Sequence, residues 1–523
     1  YNTISSIAES PKNEQLMYIG TDDGFIQITE NGGKTWDATE VKKLPGAPDR
    51  GYINDIKADL FDENTAYLAL DNHKNGDYKP YLYMTTNKGK SWKCISSNIP
   101  ENNYVWRIVQ DHINPNLLFV GTEFGLYFTV DGGEHWKQIK SGVPTISFRD
   151  LAIQRRENDL VAASFGRSIY ILDDYSFLRD LTPELVEKDA AMLALRNAYL
   201  YTPVNDGRGK DGYLGSQEYV AENPEYGAVF TYYLKGEQTL KTAERTKKEK
   251  ELNKAGTDID FAGWDVLLAE KNEIKEQHWV VITDVENKVV RKMQVPSGKG
   301  LHRFTWDFSA ENAMPINTGE KLNENKNGGF RVGPGTYRIT LYYVHQGKAT
   351  PLTTPKSFDV IPLYPGTLPS KNDGVKNTFI AQYVAVSSRK SLLEYDFNQA
   401  KKQASAMELA LKRSPNSLGA LESELVDLTN ELRNLDLLLE GNPLKDEVGE
   451  KNIPTINERI WAASSALWGG NGYGPTTTAQ QSLDIAERML ADFDAKLAVI
   501  KLKAATIYEE LKKSGAPVIR GME

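Results

Sequence analysis

Three copies of one eight-residue motif stand in the first third of the chain. They are Thr29-Glu30-Asn31-Gly32-Gly33-Lys34-Thr35-Trp36, Thr85-Thr86-Asn87-Lys88-Gly89-Lys90-Ser91-Trp92 and Thr129-Val130-Asp131-Gly132-Gly133-Glu134-His135-Trp136. Each reads Thr, any, Asn/Asp, any, Gly, any, Ser/Thr/His, Trp. The tryptophans fall 56 and 44 residues apart. A strand-rich repeat of about 40–50 residues is the spacing of β-propeller blades. The physical logic is local. The Thr and the Asn/Asp can bond backbone groups of their own turn. The glycine admits the positive φ of a tight hairpin. The Trp opens the next strand and carries a large apolar surface into a seam between sheets. This is turn chemistry and carries no catalysis by itself.

The motif resembles the Asp-box, or BNR repeat, of sialidases, sortilin-type propellers and xyloglucanase-type hydrolases. Around it, residues 1–175 repeat a pattern of short strands divided by polar turns. First strands are Ile53-Asn54-Asp55-Ile56-Lys57, Val105-Trp106-Arg107-Ile108-Val109 and Phe148-Arg149-Asp150-Leu151-Ala152-Ile153. Second strands are Met17 to Thr21, Ala66 to Leu70 and Leu118 to Thr122; third strands run into the boxes. A last copy, Val161 to Leu172, has no box after it. The expectation is about four blades over residues 1–177, the last incomplete. Propellers usually close with four to eight blades, so an upstream segment or a second chain is expected to complete the ring. The chain opens inside strand-like sequence with no leader-like run, and further sequence is expected before Tyr1.

Residues 178–363 are expected to form an immunoglobulin-like β-sandwich with a charged insert near 235–256, read as a solvated helix or loop. Asp284 to Arg291, Gly300 to Asp307 and Pro334 to Tyr337 resemble the flagellar-hook-capping type of Ig-like domain. Residues 364–523 turn helical. Leu421, Leu425, Leu428, Leu432, Leu435 and Leu439, and then Phe493, Leu497, Ile500, Ala504, Ile507 and Leu511, alternate steps of four and three. That is the seam of packed helices, here a bundle of three or four. Gly469 to Pro475 is read as a link. The fold class is therefore multidomain, mainly β, with an α-helical C-terminal domain. The order of parts resembles large bacterial BNR-repeat, sortilin-like proteins, frequent in Bacteroidetes and often labelled glycosyl hydrolases. Ser164 to Asp174, Asn223 to Ala228 and Gly300 to Arg303 carry that likeness, which implies a periplasmic, cell-surface or extracellular protein.

Several function classes fall away. With 62 basic and 71 acidic residues the net charge is −9, opposite to a nucleic-acid footprint. No apolar run is long enough for a membrane span. Cys94 is the sole cysteine, so no internal disulfide forms. The six histidines show no metal-ligand spacing, and no glycine loop for phosphate is present. No metal or cofactor is expected. Asp71 to Asp77 has calcium-like composition without the closing glutamate of an EF-hand, and reads as a polar hairpin.

The first strand of a blade lines the propeller axis, and its start faces the binding mouth. The candidates are therefore Asn54, Trp106, Arg107, Arg149 and Arg167 for a ligand, with Asp55 and Asp150 as a catalytic pair if the protein is a glycoside hydrolase. Arg107, Arg149 and Arg167 could alternatively hold a carboxylate as sialidases do, although the Phe-Arg-Ile-Pro signature departs here at Phe148-Arg149-Asp150. The leading expectation is a cell-envelope module that binds or scaffolds protein, peptide or glycan. The alternative is a hydrolase whose site lies largely on blades outside this chain.

Overall fold

The computed structural model describes residues 3–201, 203, 225–236, 239–318, 328–364, 373–415, 419–468 and 474–522. Asn223, Pro224 and most of the Gly469–Pro475 link lie outside them. Contacts divide the chain into two units. The first holds Tyr1–Leu195, Phe230–Glu270 and Ser297–Arg303; the second holds Arg196–Val229, Lys271–Pro296 and Phe304–Glu523.

The first unit begins with four antiparallel sheets, each a meander in sequence order. Sheet one is β1 (Ile4–Ser10), β2 (Asn13–Thr21), β3 (Phe25–Thr29) and β4 (Asp37–Glu40). Sheet two is β5 (Tyr52–Ala58), β6 (Ala66–Asn72), β7 (Asp77–Thr85) and β8 (Lys93–Cys94). Sheet three is β9 (Val105–Gln110), β10 (Leu118–Thr122), β11 (Gly125–Thr129) and β12 (Lys137–Ile139). Sheet four has three strands, β13 (Phe148–Gln154), β14 (Asp159–Ser164) and β15 (Ile169–Leu172). These are propeller-type blades, and the residue pattern shows how they stack. Leu118 and Val120 of β10 pack with Tyr67, Ala69, Leu82 and Trp136 in the seam with blade two. Leu117 and Phe119 pack with Phe148, Leu151 and Leu160 in the seam with blade four. Alternate side chains of one strand thus serve opposite seams, the two-residue period of a strand buried on both faces.

The three boxes share one set of turn hydrogen bonds. In the second, Thr85 Oγ1 accepts the N–H of Asn87 at 3.3 Å and of Gly89 at 2.9 Å, and Asn87 Oδ1 accepts the N–H of Ser91 at 2.9 Å. Thr29 and Asn31, and Thr129 and Asp131, repeat each bond. Gly33, Gly89 and Gly133 all have positive φ. Trp92 lies in the seam of blades one and two, and Trp136 in the seam of blades two and three. They are 8% and 3% exposed. Trp36, the equivalent residue of blade one, is half-buried. Replacing Thr85 by Val should strip two backbone donors of their acceptor and cost about 1–3 kcal/mol, read as a lower urea midpoint.

The charged insert forms a helix, Lys241–Lys254, with no buried side chain. Arg245 ties it to Glu270 with three bonds of 2.8–3.0 Å. The second unit contains one mixed sheet in which Ala198–Leu200, Lys356–Pro362, Gly335–His345, Gln277–Thr283 and Val289–Val295 are successive neighbours, with Lys348–Pro351 paired to Gly335–His345. A two-stranded sheet, Ser309–Glu311 with Gly328–Arg331, is separate from it. Trp306 is fully buried and meets Phe308, Tyr337 and Phe358 edge to face. Helices Asp373–Lys412, Ala420–Glu440, Ile456–Trp468 and Thr477–Lys513 follow. Leu425, Leu428, Leu432, Leu435 and Leu439 pack with Phe493, Leu497, Ile500, Ala504, Ile507 and Leu511 in one core, as the four-three spacing requires.

Candidate site at the blade ends opposite the boxes

In a four-stranded meander, the start of the first strand and the turn between the second and third strands share one end. The box turn lies at the other. Every first strand is interrupted at its start by a register shift. The shifts fall between Ile4 and Ser6, Ile53 and Asp55, Val105 and Arg107, and Phe148 and Asp150. Each is a β-bulge, which inserts an extra residue and re-aims the side chains around it. The inserted residues are Ser5, Asn54, Trp106 and Arg149. Those that follow are Ser6, Asp55, Arg107 and Asp150. Six of the seven residues nominated from the sequence are thus members of bulge pairs, and the repeat of the bulge gives them equivalent places on successive blades.

The residues after the bulge form a chain from blade to blade. Ser6 Oγ accepts the N–H of Ile56 at 3.0 Å and donates to Asp55 at 3.5 Å. Asp55 accepts the N–H of Ile108 on blade three at 3.2 Å and meets Arg107 at 3.4 Å and Lys57 at 3.6 Å. Arg107 Nη1 also donates to the carbonyl of Asn54 at 2.7 Å, and its Nε reaches Asp150 on blade four at 3.2 Å. The Asp55 side chain is 1% exposed and that of Asp150 68%. Burial pushes the Asp55 carboxyl up, against the pull of Lys57, Arg107 and the Ile108 N–H. Asn54 spends its amide on the carbonyl of Val105, at 2.8 Å. Arg107 therefore bridges the two nominated carboxylates, and its guanidinium is engaged with protein groups.

The inserted residues Trp106 and Arg149 build something different. The Arg149 guanidinium lies 4.0 Å from the centre of the Trp106 ring and 4.4 Å from that of Phe165. Trp106 meets Tyr104 edge to face at 5.1 Å, and Tyr104 stacks on His73, also at 5.1 Å. Tyr78 approaches Tyr104 at 6.3 Å. The Trp106 indole donates to Glu123 at 2.9 Å, and the Tyr104 hydroxyl also bonds Glu123. Burial first, and Glu123 second, raises the Tyr104 hydroxyl well above its ordinary value. Asp71 accepts from the backbone and ring of His73. Arg167 stands exposed in the β14–β15 turn, two residues beyond Phe165.

Tyr78, Tyr104, Glu123, Phe124 and Phe165 were not nominated from the sequence. They sit at or beside the turns joining second and third strands, or just before a first strand. The meander rule puts those places at the same end as the bulges, and applying it would have found them. The Asp71–Asp77 segment is the β6–β7 hairpin. Asp77 accepts from Tyr81 at 2.6 Å and Asn72 at 3.2 Å, while Asp71 turns to His73. Its carboxylates are used separately. At the opposite end, Asp131, Glu134 and His135 of the third box can bring ligand atoms within 4.8 Å of one another, but all three are exposed. Asp131 already closes its own turn. Among the described helices none is long and apolar enough to cross a membrane.

No family model matches the chain, and no curated protein does. Solved structures similar to it include an ancestral GH74 enzyme, at 18% identity and a TM-score of 0.28, over 32% of this chain and 24% of that one. YCF48 bound to D1 peptide matches at 18% identity and 0.26, over 33% and 52%. The β-propeller domain of Myceliophteria thermophila Cps50 (Swd1) matches at 15% identity and 0.27, over 35% and 55%. This chain spans less than two thirds of each.

Proposed function

We propose that the first unit is a propeller-type binding module of the bacterial cell envelope, and that it holds a protein, peptide or glycan ligand at the blade ends opposite the boxes. The observation that carries this reading is the ring-stacked platform. Arg149 lies against the rings of Trp106 and Phe165, and Trp106 continues through Tyr104 to His73. Tyr78, Phe124 and Phe165 expose 46%, 47% and 67% of their surface beside it. Rigid aromatic surface with few rotatable bonds is what a binding face uses. The carboxylates here have donors of their own. Asp55 and Asp150 share Arg107, Glu123 holds Trp106, and Asp71 holds His73. Hydrolysis requires one carboxyl poised to give a proton and another to attack or take one; burial raises Asp55 as the first role needs, but its side chain is 1% exposed and closed to a ligand.

Completion by further blades belongs to the same proposal. Register makes Met17 and Ile19 equivalent to Leu118 and Val120 of blade three. The latter two are fully buried; Met17, Ile19 and Trp36 are half-buried. Ile169 and Ile171 of β15 are each 58% exposed. Both outer faces of the four-blade stack therefore carry the apolar residues that form its internal seams.

The test is isothermal titration of the full chain against a panel of polysaccharides and peptides, repeated with Phe124→Ala and Phe165→Ala. We expect each substitution to weaken the bound member about tenfold, with unchanged thermal unfolding. Binding indifferent to both would reject the site. Glycoside turnover lost in Asp150→Asn would replace the binder by the hydrolase.

A further inference from the structure

Resting on that reading of the blade ends, we infer that the Arg149 clamp is a carboxylate subsite and that the ligand is an acidic glycan, a polymer carrying uronate sugars. The bulge is the first reason. It removes Arg149 from the ladder, and the guanidinium carbon stands 4.0 Å from the centre of the Trp106 ring and 4.4 Å from that of Phe165. Its Nε donates weakly to Ser147 Oγ, at 3.4 Å. Its two terminal nitrogens have no hydrogen-bond partner among the described residues. A guanidinium held against aromatic rings keeps its hydrogen-bonding edge, a planar fork matching the two oxygens of a carboxylate.

Charge supports the same class. Asp55 is buried against Arg107, Asp150 meets Arg107 through one oxygen, and neither is ion-paired with Arg149 among the described residues. Arg167, in the turn that carries Phe165, is exposed and also has no partner among the described residues. Two cations of blade four are thus available to an incoming anion. The sialidase-like triad does not assemble, because Arg107 is spent within the seam network.

Repetition selects a glycan over a peptide. Tyr78, Phe124 and Phe165 are exposed rings on three successive blades, at or beside the turn joining each blade's second and third strands. A ring repeated blade by blade suits a ligand that itself repeats flat units with apolar faces. Sugar rings are such units, and a uronate adds the carboxylate that Arg149 would fork.

The experiment is titration calorimetry on the full chain with an oligogalacturonate and with its fully methyl-esterified form. The free acid should bind at least about tenfold more tightly than the ester, the effect of losing one charge-assisted contact. Arg149→Gln should lose that same factor for the acid and weaken the ester by far less. Arg149→Lys should fall between, since it keeps the charge and loses the fork. Thermal unfolding checks that both variants fold. Equal binding of acid and ester, or acid binding indifferent to Arg149→Gln, overturns the inference. So does binding of peptides with no glycan bound. In each of these cases a loss of ligand affinity in Phe124→Ala would leave the blade-end site standing. Absence of that loss would mean the site itself is wrong.

Discussion

Replacing Arg179 by Met should destabilise the first unit by about 3–5 kcal/mol, the usual cost of removing one partner from a buried ion pair. Asp111 is fully buried, and its two oxygens collect five donors. Arg179 supplies Nε at 2.8 Å and Nη2 at 2.7 Å, Tyr175 its hydroxyl at 2.7 Å, and Asn114 and Ile113 their N–H groups at 2.7 and 3.2 Å. Arg179 and Tyr175 belong to the turn Tyr175–Asp180 that follows blade four, whereas Asp111 comes directly after the first strand of blade three. The pair therefore pins the exit of the stack back across the last seam. Met fills the apolar volume of the arginine stem but leaves the carboxylate with only the His112 ring, 3.5 Å away, as a cation when that ring is protonated. The urea midpoint reports the loss, and hydrogen exchange of the β9–β10 and β13–β14 segments localises it. Exchange unchanged in those strands would refute the assignment.

The same pair has a pH signature. Burial raises the Asp111 carboxyl, but the bonds from Arg179, Asn114 and Tyr175 outweigh it, and the group ends below its ordinary value of 3.8. A carboxyl depressed by folding stabilises fully above its unfolded value, and that contribution is lost as pH falls through the folded one. In wild type the loss thus comes below pH 3.8. In Arg179→Met the strongest opposing bond is gone while burial remains, so the carboxyl is driven upward and protonates earlier. The gap between wild type and variant should consequently narrow from pH 7 towards pH 4. A gap constant across that interval would mean the arginine acts through packing alone.

The sequence disclosed the turns better than the seams, for a physical reason. A box closes within eight residues, so Thr85, Asn87, Gly89 and Ser91 can be read without knowing their neighbours. The bulge is different. Asn54 and Asp55, Trp106 and Arg107, and Arg149 and Asp150 were visible as polar or mixed pairs at the starts of strands. What makes each pair diverge is a register shift against the second strand, which no local pattern encodes. Arg107, one of the residues nominated for a ligand, bridges Asp55 and Asp150. Arg149, one blade on, occupies the inserted position rather than the one that follows, and its terminal nitrogens have no hydrogen-bond partner among the described residues. Phe124 and Phe165 were legible only as turn residues. The helical seam was read correctly because its period is local, and Leu421, half-buried at the end of the stripe, marks where the helix begins.

Gly121→Ala should be the costliest single methyl added to the blades, at about 3 kcal/mol, the upper end of ordinary overpacking. Gly121 pairs with Arg107, beside the bulge, and the register makes it equivalent to Gly20, Ala69 and Ala163. Only small residues occupy this place, because the start of the next blade's first strand presses against it. A Cβ on Gly121 would lie 2.5 Å from the carbonyl oxygen of Phe148 and 3.3 Å from its carbonyl carbon. A backbone carbonyl cannot rotate away, so blades three and four must part, and the buried Phe148 and Leu151 lose contact. On Gly20 the same Cβ would meet the side chain of Ile53 at 2.3 Å. Rotation of Ile53 can move its Cγ2 but not its Cβ, 2.9 Å away, so Gly20→Ala should cost about 2 kcal/mol, within that range and below Gly121→Ala. Gly236, with nothing within 4 Å of its Cβ, is the control, and Ala there should be neutral or slightly stabilising. Urea titration of the three variants ranks them. If Gly20→Ala proved as damaging as Gly121→Ala, side-chain packing, not backbone approach, would set the spacing between blades.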